Sequence, residues 1–591
     1  MTRNALTQWA RLLFGSLQQA GLREVIVSPG SRSTPFAWAA LHTPGLSCRS
    51  VIDERSAAFF ALGQARVTGR PSLVLCTSGS AAAQYFPAVV EASQAFLPLL
   101  LLTADRPFEL QHAHAAQSMD QTRLYGGFAR NYFELGHPET VDAALDGLRR
   151  MALHAYAQSL GPTPGPVQMN ARARKPLEPV PASSVEELAL EDAVSSRLAA
   201  KRVEQIAATA AVGALPDALV RLVQRARTGL IVCGPAPAFN QDRRERRAVF
   251  ELAEITGFSL FAEATSQLRF VGSDVPLAPR LAALSACLDA GTEHKPELVL
   301  HLGAPATSSR LEALAADPSV QHVVVSAHGF QEPSNRAAFF VQAEPAAFAR
   351  SLSAALGRAI THEARALAAA AWQRRDQQYG AFLRAAETES AVGALSEAAL
   401  VRVALRSLPE SALLCLGNSL PVRHVDTFGE LLERELQVVS QRGVNGIDGL
   451  LSSAIGSAVS ANKPGLLLLG DVSFVHDLSG LHLARELKTP FVVLVVDNAG
   501  GRIFDDLPLR SALESEPSLD QFWRTPPQLD FAQLTQAFGV RYRHVTSSAE
   551  LVAALSVGFA TPGLSLVHAR VEPGSGRALS ERWRQLRNAE P

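Results

Sequence analysis

Short apolar runs recur along the whole chain, each followed by a turn and then by a stretch with helical spacing. From Arg23 they read REVIVSPG, SCRSVIDE, PSLVLCTSG and PLLLLTADRP, and from Thr228 TGLIVCGPAP, PELVLHLGAP and VQHVVVSAHG. From about Gly393 they read SALLCLGNS, LQVVSQRG, PGLLLLGDVS, PFVVLVVDNAGG and GLSLVHARV. Strands that alternate with helices pair in parallel, and the helices cover the sheet. A chain of 591 residues also exceeds the ~250 to 300 residues at which one core stops growing. The expected fold is α/β, with three doubly wound parallel-sheet domains in series. The boundaries expected are an N-terminal domain over 1–182, a linker and middle Rossmann-like domain over 183–361, a connecting helix over 362–392 and a C-terminal domain over 393–591. The Pro- and Gly-rich stretch GPTPGPVQMNARARKPLEPV closes the first domain, and the alanine-rich, charged residues 362–390 carry helical spacing without a strand signal.

Charge removes several functions. Lys+Arg number 55 and Asp+Glu 56, so no global field draws in nucleic acid or an anionic membrane, and an anion must be gripped by local arginines. Cys48, Cys76, Cys233, Cys287 and Cys415 lie too far apart for a zinc site or a redox dithiol and read as buried thiols in a reducing compartment. The opening MTRNALTQWARLLFGSL is not a secretory signal, and runs such as Leu97 to Leu102 or Phe491 to Val496 fall far short of the ~20 residues that span a bilayer. A cytoplasmic protein is expected.

The most informative pair is Asp471 and Asn498. The first ends LLLLGD, the second ends FVVLVVDN, and the helix-patterned LSGLHLARELK lies between them. Two parallel strands and their crossover take about 30 residues; these strand ends are 27 apart. Both polar side chains therefore emerge at the carboxyl edge of one sheet, where open α/β folds bind ligands. A carboxylate and an amide oxygen there, followed by Gly500 and Gly501, suit a hard cation that completes its shell with phosphate oxygens and water. A diphosphate ligand follows.

GDVSFVHD through DNAGG resembles the diphosphate and magnesium motif of thiamine-diphosphate-dependent enzymes. The resemblance implies that Asp471, Asn498 and the Gly500 carbonyl hold Mg2+ (or Mn2+), with Gly470 and Ser473 beside the diphosphate. Relatives commonly carry consecutive asparagines and a third glycine where this chain has Asp497, Asn498, Ala499, Gly500, Gly501 and Arg502, which puts the packing of the loop in question more than metal binding. The resemblance also implies that Glu54, at a strand-to-helix junction in SVIDERSAAFF, is the acid/base on the aminopyrimidine ring. Ile447 would prop the cofactor in its bent form, and Phe504 and Leu507 would wall its ring from water. Such enzymes place the site between subunits, so a homodimer at least, or a homotetramer, is implied.

Further segments narrow the family. VSPGSRSTP, TADRP, QSMDQ, GNSLPVR and QRGVNGIDG are similar to those of the 2-succinyl-5-enolpyruvyl-6-hydroxy-3-cyclohexene-1-carboxylate synthases of menaquinone biosynthesis. The implied reaction is decarboxylation of 2-oxoglutarate and 1,4-addition of the succinyl-semialdehyde carbanion to isochorismate, with release of CO2. Four carboxylates then meet at one site, which calls for fixed arginines. By position these are Arg32 with Ser31, Arg106 and Gln117 from the first domain, and Ser419, Arg423 and Arg442 from the third. Where relatives carry a basic middle-domain residue that reaches the substrate, this chain reads GAPATSSRLEAL, which leaves the role of Arg310 open; where some carry an asparagine before the glutamine, it has Ala116. An acetolactate synthase or simple 2-oxo acid decarboxylase shares the cofactor motif. A silent binding protein on the same fold would be expected to lose Glu54, Asp471 or Asn498, and a nicotinamide enzyme to show G-x-G-x-x-G after its first strand. The middle domain is expected to be structural and to bind no flavin.

Overall fold

The computed structural model describes residues 3–588 except 201–212, 241, 273–279, 284–287, 289–294, 361, 391–393, 514–515 and 517. Among the described residues, eighteen strands form three six-stranded sheets. The first contains β1 (Glu24–Val27), β2 (Ser47–Ser50), β3 (Leu73–Cys76), β4 (Leu99–Asp105), β5 (Asn131–Glu134) and β6 (Pro166–Arg172), in the order β2-β1-β3-β4-β6-β5. The second contains β7 (Gly229–Cys233), β8 (Ser259–Ala262), β9 (Arg280–Leu281), β10 (Leu298–Leu302), β11 (Gln321–Ser326) and β12 (Phe339–Gln342), in the order β12-β11-β10-β7-β8-β9. The third contains β13 (Leu413–Leu416), β14 (Gln437–Ser440), β15 (Gly465–Gly470), β16 (Pro490–Asp497), β17 (Arg541–Val545) and β18 (Gly563–Arg570), in the order β14-β13-β15-β16-β18-β17. Every strand pair is parallel, and the first and third sheets share one topology. Central strands such as LVLC in β3 and LVLHL in β10 are buried along their length, as expected of a sheet covered on both faces.

Two segments differ from the sequence expectation. The stretch taken as a Pro- and Gly-rich closure contains β6, whose seven residues PVQMNAR are all buried. Its polar residues hide the strand pattern because they point into a buried network: Asn170 accepts from Thr103 (2.9 Å) and donates to Asp105 (3.0 Å), and Arg172 pairs with Asp105 (3.0 Å). The crossover between β15 and β16 is not one α-helix but a short helix, Asp471–His476, and then a 3-10 run, Leu478–Glu486. Residues Glu363–Ser390 do form a single helix. Cys76, Cys233 and Cys415 are buried and Cys48 half-buried, while Cys287 lies outside the described residues. No helix among the described residues is long and apolar enough to cross a membrane.

The chain forms two compact units. One comprises Met1–Ala208, Gln441–Ala461 and Asp477–Glu486; the other comprises Thr209–Ser440, Asn462–His476 and Leu487–Pro591. Within the first, the helix Glu54–Thr68 packs on the helix Leu450–Ala461. The approach is close enough that a Cβ on Gly63 would overlap the Ser453 carbonyl, and one on Gly456 the Phe60 carbonyl. Ser457 Oγ donates to the Gly63 carbonyl at 2.9 Å. Gly63→Ala is therefore expected to destabilise the protein by about 3 kcal/mol, at the upper end of overpacking costs, because the obstruction is backbone. A urea midpoint within error of wild type would contradict this packing.

Candidate active site

In the third sheet the chain leaves β13 for β14 on one side and for β15 on the other. Such a reversal opens a crevice at the carboxyl ends of the strands. Ser419 follows β13, Asp471 follows β15 and Asn498 follows β16. One cavity brings together Ser419, Gly470, Asp471, Ser473, Asn498 and Gly500.

Asp471 is 2% exposed. One carboxylate oxygen accepts from the Val472 N–H (2.8 Å) and the other from the Gly500 N–H (2.7 Å). Burial pushes its carboxyl up to about 6, against those two hydrogen bonds. Asn498 donates through Nδ2 to Glu397 Oε1 at 2.7 Å. Glu397 is itself buried; its second oxygen accepts from the Gly576 N–H (2.9 Å), and its own N–H is bonded to Ser575 Oγ (3.0 Å). The nitrogen end of the Asn498 amide is thus occupied, and the oxygen end is left for an electrophile.

The loop between these groups is held tightly. Gly500 has φ +105°, and a Cβ there would overlap the Arg524 carbonyl, so both conformation and space require glycine. Asp497 carries the turn: its carboxylate accepts from the Ala499 N–H (3.1 Å), His568 Nε2 (2.9 Å) and Arg570 (2.9 Å). Burial alone would raise its carboxyl, but His568, the Ala499 N–H and Arg570 outweigh it and hold the group at about 2. Arg502 donates to the Asn498 carbonyl at 3.0 Å. The residues at 497, 499 and 502 therefore form a self-consistent loop.

A carboxylate, an amide oxygen and the Gly500 carbonyl are hard oxygen donors of the kind that hold magnesium together with phosphate oxygens. Among the described residues, no three His, Cys, Asp or Glu side chains gather in a metal cage. The oxygen donors that this cleft gathers from Asp471, Asn498 and Gly500 include one carboxylate.

The remaining predicted residues divide between the units. Glu54 opens the helix Glu54–Thr68 after the N-cap Asp53, whose carboxylate accepts from the Arg55 N–H at 2.9 Å, and it is half-buried. Arg32 is buried and donates to the Ala173 carbonyl at 2.6 Å; burial, then the charge of Arg106, pulls it below the usual guanidinium range. Arg106 donates to the Ala116 carbonyl at 2.5 Å, and Ser78 Oγ to the Gln117 carbonyl at 2.9 Å. Arg32, Arg106 and Gln117 thus sit on loops after β1 and β4, with Ser31 exposed beside them. Arg442 and Ile447 lie on a loop pinned by buried Glu91, which accepts from the Gly443 (3.0 Å) and Val444 (2.8 Å) N–H groups. In the second unit Arg423 donates to the Ser419 carbonyl at 2.7 Å. Phe504 is half-buried and Leu507 exposed, and neither is among the residues lining the cleft around Asp471.

Two buried carboxylates escaped the sequence reading. Glu397 follows a Ser396 that caps its helix, so it reads as an ordinary first-turn acid. Asp477 is fully buried beneath the helix Leu450–Ala461 and accepts from Ser452 N (2.7 Å) and Oγ (3.1 Å). Ser452 and Asp477 are 25 positions apart, and nothing local marks the contact. Burial pushes the Asp477 carboxyl up to about 6, against the Ser452 hydrogen bonds. The folded protein therefore keeps a proton that the unfolded chain releases near pH 4. Stability from this group is complete below about pH 4 and is lost as the pH rises through 6. Asp477→Asn should gain on wild type by about 2 kcal/mol between pH 4.5 and pH 7.5. Urea unfolding at the two pH values checks this, and an equal difference at both contradicts it.

The chain matches two family models, described as thiamine pyrophosphate enzyme, N-terminal TPP binding domain (residues 7–124) and C-terminal TPP binding domain (residues 431–569). It is 43% identical over 99% of its length, and 96% of the relative's, to the 2-succinyl-5-enolpyruvyl-6-hydroxy-3-cyclohexene-1-carboxylate synthase of Sorangium cellulosum. The synthase of that name from Geobacillus kaustophilus is 36% identical over 99% of this chain and 97% of the relative. Among solved structures, benzoylformate decarboxylase from Polynucleobacter necessarius superposes with a TM-score of 0.68 over 96% of this chain and 99% of that one, at 16% identity, a likeness of fold.

Proposed function

Because the chain belongs to the 2-succinyl-5-enolpyruvyl-6-hydroxy-3-cyclohexene-1-carboxylate synthase family of thiamine-diphosphate-dependent enzymes, we propose that it decarboxylates 2-oxoglutarate and transfers the remaining succinyl-semialdehyde unit to isochorismate. The observation that carries this reading is the cleft in which Asp471, Asn498 and Gly500 converge over a buried Glu397.

Thiamine diphosphate, when bound, supplies a nucleophilic carbon that can accept the electron pair left when CO2 departs. Asp471, Asn498 and the Gly500 carbonyl would hold Mg2+ or Mn2+, and Gly470 and Ser473 would take part in binding the cofactor. Glu397 fixes the Asn498 amide through its nitrogen, which would leave the amide oxygen to the metal. Glu54 would hold and return a proton at the aminopyrimidine ring, and Ile447 would prop the cofactor in its bent form. Phe504 and Leu507 keep water from the reacting carbon. Ser31, Arg32, Arg106, Gln117, Ser419, Arg423 and Arg442 would bind the substrate carboxylates through charge-assisted hydrogen bonds. The active form is a homodimer or homotetramer whose sites draw on two copies, and it works in the cytoplasm.

Purified protein given magnesium, thiamine diphosphate and both acids should consume isochorismate and release CO2 in equal amounts, and should do neither after removal of metal and cofactor. Decarboxylation with isochorismate left untouched would contradict the assigned acceptor.

A further inference from the structure

Three neighbouring strands of the third sheet bring a chain of polar groups to the loop after β16. Tyr542 stands on β17, His568 on β18 and Asp497 at the end of β16. The Tyr542 hydroxyl lies 2.8 Å from His568 Nδ1, and His568 Nε2 lies 2.9 Å from Asp497 Oδ2. The other oxygen of that carboxylate accepts from the Ala499 N–H at 3.1 Å. An ionised carboxylate can only accept, so Nε2 carries a proton, and in a neutral imidazole Nδ1 then accepts from the Tyr542 hydroxyl. Packing holds the ring as well. Phe531 lies against His568 at 4.7 Å and against Phe474 at 5.4 Å, and Phe474 is fully buried on the short helix that begins at Asp471. His544, on β17, meets the ring edge-on at 5.1 Å.

The far end of this chain of contacts is strained. Ala499 has φ +61°, a left-handed conformation that a residue with a Cβ rarely adopts. It stands between Asn498 and Gly500, whose amide oxygen and carbonyl belong to the proposed donor set, so the direction of both depends on Ala499 keeping that conformation. The Asp497 carboxylate takes the Ala499 N–H, and two side chains hold the carboxylate in turn: His568 and Arg570 each reach Oδ2 at 2.9 Å. The Arg570 side chain is 55% exposed and that of His568 13%. Water and salt weaken an exposed pair, which leaves His568 as the firmer hold.

We propose that His568, oriented by Tyr542, is a positioning residue for the metal loop: by donating to Asp497 it keeps Ala499 in its left-handed conformation and so sets Asn498 and Gly500 for a divalent cation. The inference rests on the metal site proposed above and extends it to the two strands beside β16, which hold the loop from behind.

Two readouts on the full-length protein test it, with thermal midpoints as the folding control. In hydrogen exchange without cofactor, His568→Leu should speed exchange severalfold in peptides that cover residues 498–501 while β15 stays protected. In calorimetric titration of magnesium at fixed thiamine diphosphate, His568→Leu should weaken binding about tenfold, the lower end of the range for the outer partner of a metal ligand. His568→Gln, whose side-chain N–H can take the place of the Nε2 donor, should recover most of that loss. Tyr542→Phe lets the imidazole turn its other tautomer toward Asp497 and should weaken binding severalfold, and Arg570→Gln should weaken it less than His568→Leu does. Unchanged magnesium affinity in His568→Leu, unchanged exchange at 498–501, or a loss in His568→Gln equal to that in His568→Leu overturns the proposal. A wild type that binds no thiamine diphosphate in the presence of magnesium contradicts the function proposed above, and the exchange result then decides the role of His568 in the loop by itself.

Discussion

Glu54→Gln should slow isochorismate consumption by about a hundredfold to ten-thousandfold, the range usual for loss of a positioned acid/base, while affinity for thiamine diphosphate changes little. Gln keeps the size and hydrogen-bonding reach of Glu54 but cannot hold and return a proton. The substitution is also structurally mild. Glu54 is half-buried at the first position of its helix, and the cap belongs to Asp53, whose carboxylate takes the Arg55 N–H. An unchanged thermal midpoint with collapsed turnover is therefore the expected pair of results. Turnover within a few-fold of wild type would remove Glu54 from the chemistry.

The second large effect is at the metal cleft. Asp471→Ala removes the only carboxylate of the proposed donor set and also the acceptor of the Gly500 N–H, so magnesium-dependent binding of thiamine diphosphate should fall below detection in calorimetry. Glu397→Gln is the finer test. Its new amide can present nitrogen to nitrogen at Asn498 Nδ2, favouring the flipped Asn498 amide, and loss of such an outer partner typically costs 10- to 100-fold in metal affinity. A magnesium titration at fixed thiamine diphosphate should show that shift, and excess magnesium should restore most of kcat. If Glu397 were only a structural tie to the Gly576 N–H, stability would fall and the magnesium titration would stay in place.

The parts of this protein legible in the sequence are those with a local physical signature. Strands buried on both faces, such as LLLLTAD of β4 and FVVLVVD of β16, stand out as continuous apolar runs, and Asp471 and Asn498 stand out because each ends one. Strand β6 carries no such signature because Gln168, Asn170 and Arg172 break its apolar run, although each makes hydrogen bonds in a buried polar network. Edge strands such as RYRHV of β17 are mostly exposed, and only its last valine is buried. The crossover Leu478–Glu486 has helical spacing but folds as a 3-10 run, with Asp477 and Gly480 fitted against Ser452. Long-range pairings leave no local trace: Glu397 meets Asn498 across 101 positions.

The central claim is that this chain joins two acids by forming a carbon–carbon bond. The most direct test feeds 2-oxoglutarate labelled with carbon-13 at C1 and C2, together with isochorismate, and follows the products by carbon-13 NMR. The account predicts that C1 appears as CO2 and C2 as a ketone carbon bonded to the ring of the isochorismate-derived product. Labelled CO2 accompanied by free succinate semialdehyde, with isochorismate unchanged, would contradict it.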